Sequence, residues 1–175
     1  MIKEFKENIN FYIENFNIEE QLFKKGIDIK QKGYLTKNEF LNICLWKSRR
    51  PKNRYILNSE IEIENITRLA LAEKDELLKI EYLTRLKGVL IPTASAILSV
   101  VNPQEYPIID VRCVEALKEL KVIEWGLINN NNWLIYLEII RKLSKELNLT
   151  CREVEKGLFA YNRMNLDSEY KNLYK

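Results

Sequence analysis

Apolar residues recur at steps of three and four almost from end to end of this 175-residue chain, and only 5 glycines and 4 prolines interrupt them. That period lays a stripe of side chains along one face of a helix, whereas a strand needs alternation at every second residue. Ile2, Phe5, Ile9, Tyr12, Ile13 and Phe16 predict an opening amphipathic helix. Asn17 can cap a second one carrying Ile18, Leu22 and Phe23, with Gly26 at its end or at a break. Thr36-Lys37-Asn38-Glu39 is a capping box ahead of Phe40, Leu41, Ile43, Cys44, Leu45 and Trp46, and that helix stops in the basic run from Lys47 to Arg54. Asn58 or Ser59 opens a helix through Ile61 to Leu71, and Asp75 caps one through Leu77 to Leu83. Pro92 suits a first helical turn, and Asp110 starts a helix to about Leu120. After a polar break at Asn129 to Asn132, Trp133 to Leu147 is strongly periodic. Thr150-Cys151-Arg152-Glu153 is a second capping box, before a helix ending near Tyr161; Leu166, Tyr170, Leu173 and Tyr174 add a weak pattern. Tyr55-Ile56-Leu57 is the nearest approach to a strand. The pattern predicts an all-α, multi-helix bundle of about nine or ten helices. Residues 1–175 form a single helical domain in this reading, with two lobes sharing a cleft.

Composition narrows the chemistry. The chain is 46% hydrophobic and 30% charged, a globular balance, and its net charge of +3 permits nucleic-acid binding without demanding it. No stretch approaches the roughly 20 apolar residues of a membrane span. The charged start, Met1-Ile2-Lys3-Glu4-Phe5-Lys6-Glu7, is unlike a signal peptide, so a cytoplasmic protein with no membrane partner is expected. Cys44, Cys113 and Cys151 are odd in number and dispersed, which disfavours a disulfide framework, a zinc knuckle and a four-cysteine iron–sulfur cluster. The chain has no histidine, which removes histidine-based nucleophilic, general-base and metal chemistry together. Acid–base work falls to carboxylates, lysines or tyrosines, and neither a metal nor a cofactor is expected.

The stretch from Leu86 to Leu98, Leu-Lys-Gly-Val-Leu-Ile-Pro-Thr-Ala-Ser-Ala-Ile-Leu, reads as a helix end, a tight glycine turn and a second helix. A short proline-bounded loop, Tyr106-Pro107-Ile108-Ile109, then leads to Asp110 at the mouth of a third helix. The order over residues 82 to 120 resembles the helix-hairpin-helix DNA glycosylase superfamily, of the endonuclease III-like kind, as a divergent member. The resemblance implies that the hairpin, near residues 75–101, holds a DNA phosphate on the N–H groups at the start of its second helix. Leu86 and Val89 would pin the two helices, Gly88 would make the turn and Thr93 would add a hydroxyl contact. The family pattern has proline where this chain has Lys87 and a second glycine where it has Leu90. A helix–glycine–helix turn serving only the core is the other reading of these residues.

The same resemblance implies that Asp110 stabilises the positive charge that builds on a sugar as its bond to a base breaks, and orients or deprotonates a water. On its residues alone, Asp110 reads as an N-cap, a role compatible with the first. Strand-nicking relatives use a lysine in the hairpin's second helix, and Pro92 stands there, so no lyase step is expected by that route. For DNA contact the candidates are Lys87, Gly88, Leu90, Thr93, Lys47, Arg49, Arg50 and Arg112. Cations after a helix end also serve its dipole, which is the alternative for the basic run. For the pocket of an extruded base the candidates are Tyr106 and Trp46, whereas Tyr82, Trp125, Trp133 and Tyr136 are spaced as core. The expected function is monofunctional base excision on duplex DNA, without lyase activity. The alternative is a non-catalytic helix-hairpin-helix protein that binds nucleic acid or another partner.

Overall fold

A computed structural model describes residues 1–16 and 21–173, with side chains described as far as residue 165. Among the described residues there are eleven α-helices, one 3-10 turn and no strand. The helices are α1 (Ile2–Glu7), α2 (Ile9–Glu14), α3 (Gly26–Lys32), α4 (Lys37–Lys47), α5 (Lys52–Tyr55) and α6 (Glu60–Ala72). They continue as α7 (Glu76–Thr84), α8 (Ile91–Val101), α9 (Val111–Glu119), α10 (Asn130–Leu147) and α11 (Cys151–Leu173). The 3-10 turn is Gln21–Lys25, ahead of α3.

Most starts follow local capping chemistry. Thr36 and Ser59 form capping boxes with Glu39 and Glu62. Asp75 accepts the N–H groups of Leu77 and Leu78, and Asn129 accepts that of Asn132. Thr150 and Glu153 close the box at the start of α11, with Thr150 N–H donating to Glu153 Oε2 at 2.7 Å. Each such cap satisfies an N–H that the helix itself leaves free.

Several expected boundaries move. The single opening helix is divided at Asn8, whose side-chain amide donates to the Glu4 carbonyl at 2.9 Å and competes with the helical ladder. The expected cap Asn17 and Ile18 lie outside the described residues, and Leu22 and Phe23 sit in the 3-10 turn rather than an α-helix. Gly26 opens α3 instead of closing a helix. A Cβ there would meet the Val100 carbonyl oxygen at 1.9 Å, so only glycine lets α3 lie this close to α8. α10 begins within the asparagine run, and Tyr55 ends the short helix α5. No glycine or proline follows Tyr161, and α11 continues to Leu173.

Two helices organise the packing. Every residue of α8 from Thr93 to Val101 is buried, and α3, α4 and α7 surround it. α11 receives α2, α9 and α10, so the second and last helices pack together. One continuous cluster of buried apolar side chains runs through both groups, from Phe5 to Leu158. The loop from Asn102 to Asp110 joins them and is held on several sides. Ser95 Oγ accepts the Ile109 N–H at 3.1 Å, the Tyr136 hydroxyl donates to the Ile108 carbonyl at 2.9 Å, and the Arg152 N–H donates to the Pro103 carbonyl at 3.0 Å. No described helix is long and apolar enough to cross a membrane.

Candidate functional site

Asp110 stands at the N-cap of α9, where its Oδ1 accepts the Cys113 N–H at 3.1 Å. The clamps from Ser95 and Tyr136 fix the two residues before it, so the carboxylate is carried on rigid backbone. Its second oxygen, Oδ2, lies 3.1 Å from Lys47 Nζ. Both side chains are mostly covered, at 20% and 15% exposure for Asp110 and Lys47. Lys47 is the last residue of α4, so this ion pair ties the helix end that precedes the basic run to the candidate catalytic carboxylate.

The pair lines a cavity of about 260 Å³ together with Phe16, Trp46, Ile108, Arg152, Glu155 and Phe159. Arg152 and Glu155 are buried in its wall and bonded to each other. The guanidinium of Arg152 also lies 5.0 Å from the ring centroids of Phe16 and of Phe23, and 5.9 Å from that of Trp46. Burial pushes the Glu155 carboxyl above the usual range; Arg152 pulls it down and the nearby Asp110 pushes it up again. Burial likewise raises the Cys113 thiol well above its ordinary value, with the Asp110 and Glu155 charges adding to the effect. That thiol stays protonated and is no nucleophile. The cavity is therefore aromatic on several sides, with two carboxylates and two cations.

The hairpin forms between α7 and α8. Gly88 alone takes a left-handed conformation in the turn, at φ +89°, whereas Leu90 is extended at φ −110° and is 68% exposed. A leucine at this position therefore costs no backbone strain. Asn58 grips the turn from outside: its Oδ1 accepts the Lys87 N–H at 2.7 Å and its Nδ2 donates to the Lys87 carbonyl at 3.0 Å. At the start of α8, Pro92 brings no N–H, and the Thr93 N–H returns to the Leu90 carbonyl at 2.9 Å. The N–H groups of Leu90 and Ile91 are bonded to no described residue.

Some expected contacts are redirected. Thr93 is buried, with its hydroxyl 3.4 Å from that of Tyr55, so it offers no hydroxyl to a phosphate. The half-exposed Lys87 lies 3.4 Å from Glu62. Lys47 turns inward to Asp110 rather than out along the basic run. Tyr106 is buried, donates to Glu76 Oε2 at 3.0 Å, and lines a different cavity from Asp110. Arg112 does not pair with Asp110; its guanidinium rests over the Phe159 ring at 5.6 Å. Trp46 does line the Asp110 cavity. Arg49 and Arg50 are exposed, as are Lys52 and Arg54 just beyond them.

The basic run and the hairpin meet. A Cβ on Gly88 would stand 2.9 Å from the Tyr55 ring and 3.0 Å from the Arg54 Cβ. The segment that leaves the Asp110 cavity at Trp46 and Lys47 thus passes through exposed cations and ends against the glycine turn. Arg152, Glu155 and Ser95 carry no sequence signal for such a site: Arg152 sits in an ordinary capping box, Glu155 in the helical turn after it, and the serine in the buried stretch of α8. Comparison with family models, curated proteins and solved structures returns no match for this chain.

Proposed function

We propose that this protein binds duplex DNA and hydrolyses the N-glycosidic bond of a damaged or modified base, with Asp110 as the catalytic carboxylate. The observation that carries the reading is the continuity just described. Exposed Arg49, Arg50, Lys52 and Arg54 link the Asp110 cavity to the hairpin turn. A duplex whose phosphates lie on those cations has one backbone near the turn and a nucleotide within reach of the carboxylate. Phe16, Trp46 and Phe159 supply flat apolar walls for an extruded base. Loss of the base leaves positive charge on the sugar ring, which the Asp110 carboxylate stabilises while it orients the attacking water.

One observation favours the second reading, a non-catalytic DNA-binding helix-hairpin-helix protein. Both Asp110 oxygens already have partners, Lys47 and the Cys113 N–H, at 3.1 Å each. For catalysis, Lys47 must follow the substrate or release the carboxylate when a nucleotide enters.

The test is release of free base from duplexes that each carry one modified base. Wild-type protein should release base from at least one of them. Asp110→Asn keeps a good N-cap but lowers the rate by about 100-fold or more. Salt-sensitive duplex binding with no release from any substrate would select the non-catalytic reading.

A further inference from the structure

A second cavity, of about 390 Å³, opens between α3, α6, α7 and the C-terminal half of α8. Its charged lining is unbalanced: Lys30, Arg68 and Lys79 contribute three cations and Glu73 one carboxylate. Glu73 accepts the N–H groups of Lys74 at 2.7 Å and Asp75 at 3.1 Å through Oε1, and its charge also acts on Lys79. The Arg68 guanidinium lies over the Tyr34 ring at 4.3 Å and makes no ion pair among the described residues. Leu98 and Val101 of α8 supply an apolar wall.

Lys79 is the unusual member. Its side chain is only 9% exposed, and lysines are seldom so buried unless well paired. Its nearest carboxylate oxygen, Glu76 Oε2, is 3.7 Å away, beyond hydrogen-bond reach. Glu76 is already taken by Arg141 Nη2 at 2.8 Å and by the Tyr106 hydroxyl at 3.0 Å. The ammonium therefore makes no hydrogen bond to any described residue, although it lines a cavity large enough for a small molecule.

We propose that this cavity binds a small organic anion, a phosphate monoester or carboxylate with a flat or apolar body. Lys79 takes the charged end with Arg68, and the α8 wall takes the apolar part. The site is independent of the DNA-repair reading, since it shares no lining residue with the Asp110 cavity.

The experiment is calorimetric titration of the full chain with phenyl phosphate, benzoate, inorganic phosphate and phenol. Phenyl phosphate or benzoate should bind with one site per chain, about ten-fold or more tighter than inorganic phosphate and than phenol. Lys79→Met keeps the stem and removes the positive charge at the cavity, and should weaken binding by about ten-fold. Arg68→Gln changes a residue outside the core and should weaken it several-fold, which keeps the test decisive if the lysine variant does not fold. A double variant, Arg49→Gln with Arg50→Gln, should bind the probes as wild type does. The proposal is overturned if neither organic anion binds or if phenol binds equally well. It is also overturned if the folded variants at Lys79 and Arg68 bind unchanged, or if the affinity is lost in the Arg49/Arg50 variant, which would locate the anion on the basic run.

Discussion

Asp110 and Glu155 face one cavity from different surroundings, and their surroundings set their chemistry. Asp110 is held by an ion pair and a backbone N–H at the cavity wall, whereas Glu155 is buried against Arg152 and Cys113. Burial raises the Glu155 carboxyl in the folded state, so the folded protein keeps that proton where an unfolded glutamate, near pH 4.3, has lost it. The stability this proton contributes is complete below the unfolded value and is lost as pH rises through the folded one. Urea midpoints of wild type and Glu155→Gln should therefore diverge as pH rises above the unfolded value, with wild type losing stability relative to the variant. The opposite slope would mean that the pair with Arg152 outweighs burial. Sequence reading placed Asp110 at a helix start because capping is local. It missed Glu155 and assigned Lys47 to the DNA backbone, since partners 42 residues away for Cys113–Glu155 and 63 away for Lys47–Asp110 leave no local trace.

At the scale of elements, the hairpin and the Asp110 loop behave as one assembly. Ser95, one turn into α8, accepts the Ile109 N–H immediately before Asp110, so the second hairpin helix sets where the carboxylate stands. Ser95→Ala would leave that buried N–H unsatisfied and should cost about 1–3 kcal/mol in urea unfolding. Proteolysis should then detect a looser loop between Asn102 and Asp110. Gly88→Ala places a Cβ against the Tyr55 ring in a residue at φ +89°, and should cost about 1–3 kcal/mol by the same measurement. A loss of only a few tenths would show that α5 yields freely and does not support the turn. The glycine turn and the caps of α4, α6, α7 and α11 were legible, because each depends on residues within one turn. The Asn58 grip on Lys87 was not: an asparagine ahead of Ser59 looks like a second cap, and only the packing of α5 beside the turn gives it another task.

At the scale of the whole molecule, the net charge of +3 understates the local field. Arg49, Arg50, Lys52 and Arg54 stand exposed in one short segment beside the hairpin. If duplex DNA lies there, replacing all four by glutamine should lower the slope of log affinity against log salt by about three to four units. An unchanged slope would locate the DNA-binding face elsewhere. What the sequence by itself determined was the helical class, most helix starts and the order hairpin–loop–aspartate, because period, capping and turn chemistry act over a few residues. Tertiary structure alone decided that Lys47 neutralises Asp110, that Tyr106 serves another cavity, and that the basic run ends against the glycine turn. Those outcomes depend on which helices pack around α8 and α11, and buried apolar area drives that packing without direction, so no short motif records it.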